Sequence, residues 1–414
     1  MSILSVFLGN EYTGTLTCDK HHLFSFHYAP EWITKRNVPP LSLSMPVREA
    51  AYDDEKARPF FTNLLPESAV REAVARKLGI SPRNDFALLA ALGGECAGAV
   101  TLLPQGSAPL DKYEYRELSD EQLQKIIQSL SINPLLAGEE HIRLSLAGAQ
   151  EKLPVLKKNN QVYLPLESSP SSHIIKPKIP GFEDSVRNEV FCMKLAEHLG
   201  LSVPYTEIMT TPEVLYVVAR FDRFYDGSGK LCRIHQEDFC QAAGLIAENK
   251  YEAEGGLSLG RCFSLIDRFS THPALDRKKM LDWIIFNYLI HNADGHAKNL
   301  SLLLTAHEIR LAPFYDLMCT GVYEGINKKL AMKIGGENRP QWIQRRHWER
   351  LAEDIGIRAE FIMRTLHNMS AKIMQIAQNV AEEQEVKWGP ASILIRIQKI
   401  ISEQVKHTRS VIGT

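Results

Sequence analysis

At 414 residues, with 44% hydrophobic and 23% charged side chains, the chain is long enough for two or three domains and has the composition of an ordinary soluble globular protein. Its 48 Lys and Arg against 49 Asp and Glu exclude a global electrostatic signature for nucleic acid or an anionic membrane, so any DNA contact is expected to be local or made through a partner. Seven scattered cysteines (Cys18, Cys96, Cys192, Cys232, Cys240, Cys262 and Cys319) form no C-x-x-C pair, which argues against a disulfide framework or a zinc site. MSILSVFLGN lacks a basic leader and a cleavage signal, and no run of about 18 apolar residues occurs. The expectation is a cytoplasmic protein with reduced thiols and no membrane partner.

Residues 3 to 35 read as strands ILSVFLG, YTGTLTCD and HLFSFHYAPEWI, a small antiparallel meander. Pro39, Pro40 and Pro46 bracket an extended LSLSM. FFTNLLPESAVREAVARKLGI then has helical spacing, with Pro66 placed to start its second helix and Gly79 to end it. DFALLAALGGECAGAVTLLP reads as a helix, a Gly-Gly break and a strand, closing a mixed α/β unit near Pro104. SAPLDKYEYRELSDEQLQKIIQSL follows as a linker strand and an amphipathic helix.

From His141 the chain reads as a strand through HIRLSL, a small-residue turn, a second strand from Lys152 and a third after Asn159-Asn160. Ala147-Gly148-Ala149 would let backbone N–H groups approach a phosphate, and a plain hairpin fits the same residues equally well. HIIK is a short strand ending in Lys176. After it, DSVRNEVFCMKLAEHLGL is a helix with Asp184 as its expected N-cap, Gly200 as its stop and Glu189 in its second turn. A lysine strand followed by a glutamate helix is the order found in protein kinases, where the pair serves the α- and β-phosphates.

SVPYTEIM and EVLYVVARF are expected to complete a five-stranded sheet, with the backbone of Ala219, Arg220 and Phe221 as a hinge for adenine. Arg220 and Arg223 read equally well as structural salt-bridge partners. Beyond residue 235 the chain is mostly helical, and Glu237 and Asp238 suit a helix N-terminus on macrodipole grounds.

Residues 283 to 316 carry the chemistry. WIIFNYLI reads as a buried helix, Asn292-Ala293-Asp294-Gly295 as a break, and LSLLL with the residues after Glu308 as a hairpin leading to Asp316. Asp294 and Asn299 have the D-x4-N spacing of a kinase catalytic loop, and Asp316 follows in the order of the magnesium-binding aspartate. On spacing alone, Asn-Ala-Asp-Gly is also an ordinary turn.

These segments together resemble the HipA-like toxin kinases, serine/threonine kinases of type II toxin-antitoxin modules. The resemblance rests on Tyr28-Ala-Pro-Glu-Trp32, Pro40-Leu-Ser-Leu-Ser44, Asn63-Leu-Leu-Pro66, Gly98-Ala-Val-Thr-Leu102, Ser145-Leu-Ala-Gly-Ala-Gln-Glu-Lys152, His173-Ile-Ile-Lys176, Arg220-Phe-Asp-Arg223, Gln236-Glu-Asp238, Asp294-Gly-His-Ala-Lys-Asn299 and Tyr315-Asp316. It implies an α+β, bilobal protein-kinase-like fold: an N-terminal mixed α/β subdomain and linker over 1–138, an antiparallel-sheet N-lobe over 139–222 and a helical C-lobe over 223–414.

By similarity, ATP and Mg2+ are the cofactors. Ala147, Gly148, Ala149, Gln150, Glu151 and Lys152 would form the phosphate loop. Lys176 would bind phosphate with Glu189 as its ion pair, and Asp294 would be the catalytic base. His296, Ala297, Lys298, Asn299, Tyr315 and Asp316 would complete the nucleotide site, with Asn299 and Asp316 on the metal. Ser145 matches an autophosphorylation serine whose modification ejects the phosphate loop. Ala219 stands where relatives can carry an acidic residue, so only backbone contacts are implied there. The implied partners are a helix-turn-helix, HipB-like antitoxin, DNA through that antitoxin, and a protein substrate such as an aminoacyl-tRNA synthetase. The rival readings are a small-molecule phosphotransferase and a non-catalytic kinase-fold corepressor.

Overall fold

The computed structural model describes residues 2–210 and 212–413. They fall into two compact units, one of Met1–Pro177, Met209–Ala247 and Ser301–Ile309, the other of Lys178–Ile208, Glu248–Leu300 and Arg310–Thr414.

The first unit opens with the expected meander. Phe24–Tyr28, Glu11–Cys18 and Ser2–Leu8 lie side by side, and Val100–Pro104 adds a fourth antiparallel strand beside Ser2–Leu8. Their inward side chains meet helices Asp54–Thr62, Ser68–Leu78 and Asp85–Leu92 in a core that includes Phe26, Phe60, Phe61, Leu88 and Val100. Gly79 ends its helix in the left-handed conformation expected of a C-terminal glycine.

The second sheet in this unit departs from expectation at one strand. Residues 141–146 form no strand: Leu144 makes only an isolated bridge to Glu95, whose amide donates to the Arg143 carbonyl and whose carbonyl accepts from the Ser145 amide. Arg143 pins the segment by donating to the Ala90 and Leu102 carbonyls. The sheet position is filled instead by Tyr115–Leu118, the stretch read as a linker strand. It is followed in turn by Gln161–Pro165, Leu153–Lys158, His173–Lys176 and Leu215–Ala219, five of the six strands this sheet holds where five in all were expected. The amphipathic helix Asp120–Ser129, closed by a Ser119/Gln122 capping box, lays Leu123 and Ile127 on the core formed by Leu153, Val155, Leu164, Ile175 and Val217. His235–Asp238 is a strand paired with Ser301–Leu304, and Asp238 caps the short helix Phe239–Ala243 through a reciprocal box with Gln241.

The second unit is helical: Ser185–His198, Leu259–Phe269, Pro273–Leu289, Arg345–Ile355, Ala359–Trp388 and Ser392–Ile412. WIIFNYLI is the buried end of Pro273–Leu289, with Tyr288 edge-on to Trp348 at 5.2 Å between ring centroids. Asp184 occupies the N-cap position the sequence suggested, but not with the expected side-chain cap. It sits at φ +46° and its side chain makes no cap hydrogen bond, while the Ser185 hydroxyl accepts from the Ile179 amide. Arg187 reaches the other way, donating to the Gly389 carbonyl at 2.7 Å beyond the end of Ala359–Trp388. Among the described residues, no helix is long and apolar enough to cross a membrane.

Candidate active site

In the first unit, the expected phosphate loop is a tight turn around Gly148. This glycine has φ +114° and bridges Pro66, and its carbonyl accepts from the Glu67 amide at 3.1 Å. Lys152 folds back so that Nζ donates to the Ala147 carbonyl at 2.5 Å. The backbone at φ +114° favours glycine there, whereas a Cβ would meet only the far end of the flexible Lys152 side chain. An open loop with a lysine at its rim suits an anionic phosphate. Gln150 Nε2 donates to the Pro177 carbonyl at 3.3 Å, and burial pushes the Glu151 carboxyl up from its ordinary value.

Lys176 ends its strand almost fully buried, opposite Tyr216, with Nζ 5.2 Å from that ring's centroid. Ser145 is wholly buried, and its hydroxyl donates to the Leu64 carbonyl at 2.8 Å.

Arg220 has other work than nucleotide binding. Its amide donates to the Ser172 carbonyl, and its guanidinium lies in a buried ion cluster with Glu95 and Asp222. Arg223 and Arg233 bind the same Glu95 carboxylate, and Arg223 also donates to the Gly98 carbonyl. Gly98 is required there: at φ +69°, a Cβ would come within 2.7 Å of the Gln236 amide nitrogen. Burial opposes ionisation of Glu95, but Arg223, Arg233 and Arg220 outweigh it and hold the carboxyl well below the usual carboxylate range. The salt-bridge reading of Arg220 and Arg223 therefore accounts for both side chains. In the hinge, neither the amide nor the guanidinium of Arg220 is available to adenine.

The second unit holds the residues expected to form the catalytic loop. Pro273–Leu289 ends at Ile290, His291 turns the chain at φ +53°, and Asn292 Nδ2 donates to Asn287 Oδ1 at 2.7 Å. Asn292 Oδ1 in turn accepts from the Asp294 amide, and Thr320 Oγ1 accepts from the Ala293 amide at 2.7 Å. The side chain that closes the turn onto the backbone is thus Asn292, and the Asp294 carboxylate projects outward, 58% exposed. The plain-turn reading explained Asp294 by a job that Asn292 performs. Gly295 has no positive φ; it lies against Trp283 and Asn287.

Downstream, the His296 amide donates to the Asp294 carbonyl, Ala297–Asn299 makes a turn of 3-10 helix, and Tyr315 donates its hydroxyl proton to the Lys298 carbonyl at 2.7 Å. Asn299 is buried, and its Oδ1 has no hydrogen-bond partner. A buried, unsatisfied amide oxygen is costly without a ligand, and a hard cation supplies one. Asp316 is exposed and held at φ +53°, a left-handed conformation unusual outside glycine. An amide oxygen and a carboxylate are the donor chemistry that would suit magnesium, which keeps waters and substrate phosphates as its other ligands. Glu189 is buried in the second turn of Ser185–His198.

Several contributors were not singled out in the sequence. Tyr251 donates its hydroxyl proton to Asp294 Oδ1 at 2.6 Å and lies edge-on to His296. Its stretch, AENKYEAEGG, has no periodicity to flag it. Asn287 carried a signal, as a polar residue inside an otherwise apolar run.

Comparison with known proteins completes the picture. Residues 144–388 match the family model described as the HipA-like C-terminal domain, and residues 4–103 match the HipA N-terminal domain. A putative kinase, Y4mE, of Sinorhizobium fredii is 38% identical over 387 residues, covering 92% of each chain. The serine/threonine-protein kinase toxin HipA of Shewanella oneidensis is 30% identical over 391 residues, covering 91% of this chain and 89% of the relative. The solved complex of Shewanella oneidensis HipA and HipB with operator DNA contains a chain that superposes with a TM-score of 0.86 at 28% identity, over 99% of this chain and 97% of that one.

Proposed function

Because the chain belongs to the HipA-like family of serine/threonine-protein kinase toxins, we propose that it transfers the γ-phosphate of ATP to a serine or threonine hydroxyl of a protein. The observation that carries this reading is the exposed Asp294 carboxylate, on a loop whose backbone turn is closed by other residues, with the unpartnered Asn299 Oδ1 in the same short segment. Asp294 accepts the proton of the attacking hydroxyl as its oxygen bonds to the γ-phosphorus. The bond to the bridging oxygen breaks, and ADP leaves with that electron pair. Lys176 and the Gly148 loop bind phosphate oxygens. Asn299 and Asp316 would hold magnesium, which would supply neutralisation of phosphate charge.

By family, the protein substrate is of the translation apparatus, such as an aminoacyl-tRNA synthetase. A HipB-like helix-turn-helix protein is the antitoxin and the route to DNA. The near-balance of acidic and basic residues supports DNA contact through a partner.

Incubation with γ-labelled ATP and a cell extract tests the reaction: label is expected on protein, and Asp294→Asn is expected to stay folded and transfer none. Label on a small molecule would favour the phosphotransferase reading, and no label the corepressor reading. Transfer by Asp294→Asn would remove Asp294 from its role. Phosphoproteomics of cells carrying the native chain or Asp294→Asn then identifies the substrate.

A further inference from the structure

The Tyr251 hydroxyl lies 2.6 Å from Asp294 Oδ1, and the His296 Nε2 atom lies 3.9 Å from that same oxygen. The tyrosine ring meets the His296 ring edge-on, 5.1 Å between centroids. Both contacts fall on one carboxylate oxygen, although the Asp294 side chain as a whole is 58% exposed.

Tyr251 is anchored well enough to serve as a fixed donor. It lies between two turns of 3-10 helix, Ala247–Asn249 and Glu252–Glu254, and its carbonyl accepts from the Glu254 and Gly256 amides. On the next residue, the Glu252 amide donates to the Ala331 carbonyl, and the Glu252 carboxylate accepts from the Lys333 amide at 2.6 Å. Gly256 seals the bend, since a Cβ there would lie 2.4 Å from the Asn249 carbonyl oxygen. The phenol is therefore presented from a braced bend rather than from a loose loop tip.

An exposed aspartate on a loop samples several side-chain rotamers, and each wrong one removes the base from line with the attacking hydroxyl. A neutral phenol donating to an ionised carboxylate forms a short, strong hydrogen bond that selects one rotamer.

We infer that Tyr251 is a positioning residue for phosphoryl transfer, which holds Asp294 by Oδ1 so that Oδ2 faces the acceptor hydroxyl. The inference rests on the kinase reading of Asp294. With Oδ1 occupied, the acceptor proton passes to Oδ2, and the tyrosine neither gains nor loses a proton over the cycle. His296 packs against the tyrosine ring and keeps the phenol in register.

The test is steady-state transfer from γ-labelled ATP-Mg to dephosphorylated casein, with labelling of the chain itself recorded alongside. Wild type, Asp294→Asn, Tyr251→Phe and Tyr251→Leu are compared, each with its thermal midpoint. Tyr251→Phe is expected to lower kcat about ten- to hundredfold while the KM for ATP stays within about twofold and the midpoint is unchanged. Tyr251→Leu, which also removes the ring from His296, is expected to fall at least as far. A wild-type kcat in Tyr251→Phe, a raised kcat, or a loss expressed only in KM each overturns the inference while leaving the kinase reading intact, provided Asp294→Asn is inactive. If the wild-type chain labels neither casein nor itself, the kinase reading fails and takes the inference with it.

Discussion

Asn188 and Cys319 hold each other by both ends of a side-chain amide: Asn188 Nδ2 donates to the Cys319 carbonyl at 3.0 Å, and the Cys319 amide donates to Asn188 Oδ1 at 2.9 Å. Asn188 is wholly buried on the helix that carries Glu189, and Cys319 follows Asp316 closely in the chain. The same Nδ2 also donates to the Tyr323 hydroxyl. This clamp ties the segment just after Asp316 to the helix that carries Glu189. Asn188→Ala leaves a buried amide and carbonyl unpaired, each worth about 1–3 kcal/mol. The variant is expected to melt several degrees lower by calorimetry; an unchanged midpoint would show that water replaces both bonds.

Glu95 is the counter-ion for three buried arginines. Its Oε1 binds Arg220 and Arg223, its Oε2 binds Arg233 at 2.5 Å, and Oε1 also accepts from the Ser171 amide and hydroxyl. Glu95→Ala leaves Arg220 and Arg223 to share Asp222 and takes the carboxylate from Arg233, and breaking a buried ion pair from one side costs about 3–5 kcal/mol. The denaturation midpoint in urea should drop accordingly. Because the arginines hold the Glu95 carboxyl well below its ordinary value, its stabilisation is present above that ordinary value and is lost only as pH falls toward the depressed one. The difference between wild type and Glu95→Ala should therefore be flat through the neutral range.

The cluster also explains what was legible in the sequence. The blocks that carried the resemblance are largely joinery: Gly98 donates its amide to Asp222, Ser42 and Leu43 donate to Glu237, His235 Nε2 donates to the Leu41 carbonyl, and Leu64 accepts from Ser145. Short motifs that bind one another across a fold can be read as motifs before their contacts are known. The meander and the amphipathic helices were readable for a different reason, because alternation and helical spacing report burial directly. Residues 141–146 looked like a strand because Ile142, Leu144 and Leu146 alternate; Ile142 and Leu144 do pack into the core, but the backbone of the segment makes only an isolated bridge to Glu95. Asp184 had the right chemistry for a cap and the wrong backbone. Tyr251 left no trace, since one side chain in an irregular stretch has no periodicity to announce it.

Ser145 offers a test of self-inactivation. Its hydroxyl is buried and donates to the Leu64 carbonyl, so a phosphate fits there only if the segment leaves that carbonyl. Phosphorylation would then separate the Ser145 end of the loop from the Pro66–Glu67 backbone that Gly148 engages. Ser145→Ala loses one hydrogen bond, about 1 kcal/mol, and is expected to keep transferring phosphate through a long preincubation with ATP-Mg while wild type declines. Intact-mass spectrometry should show one phosphate fewer on the variant, and matching time courses would remove Ser145 from any regulatory role.

Glu237 makes stability depend on pH in a defined window. Burial pushes its carboxyl up to about 8, against the pull of hydrogen bonds from Ser42 and Leu43. Two residues away, burial lowers His235 to about 4, with the Leu41 contact opposing. The signs are opposite. Glu237 favours folding fully below its ordinary 4.5 and loses that contribution as pH rises through about 8, whereas His235 contributes above its ordinary 6.5 and loses it as pH falls through about 4. Between 4.5 and 6.5 the two slopes offset each other. From about 6.5 to 8 only the Glu237 slope remains, at most about 1.4 kcal/mol per pH unit. Glu237→Gln keeps the shape, and its amide can pair with Ser42 and Leu43 without a charge. Urea titrations at several pH values should show wild type losing stability from pH 6.5 to 8 more steeply than Glu237→Gln; parallel curves would mean that Glu237 is ionised throughout.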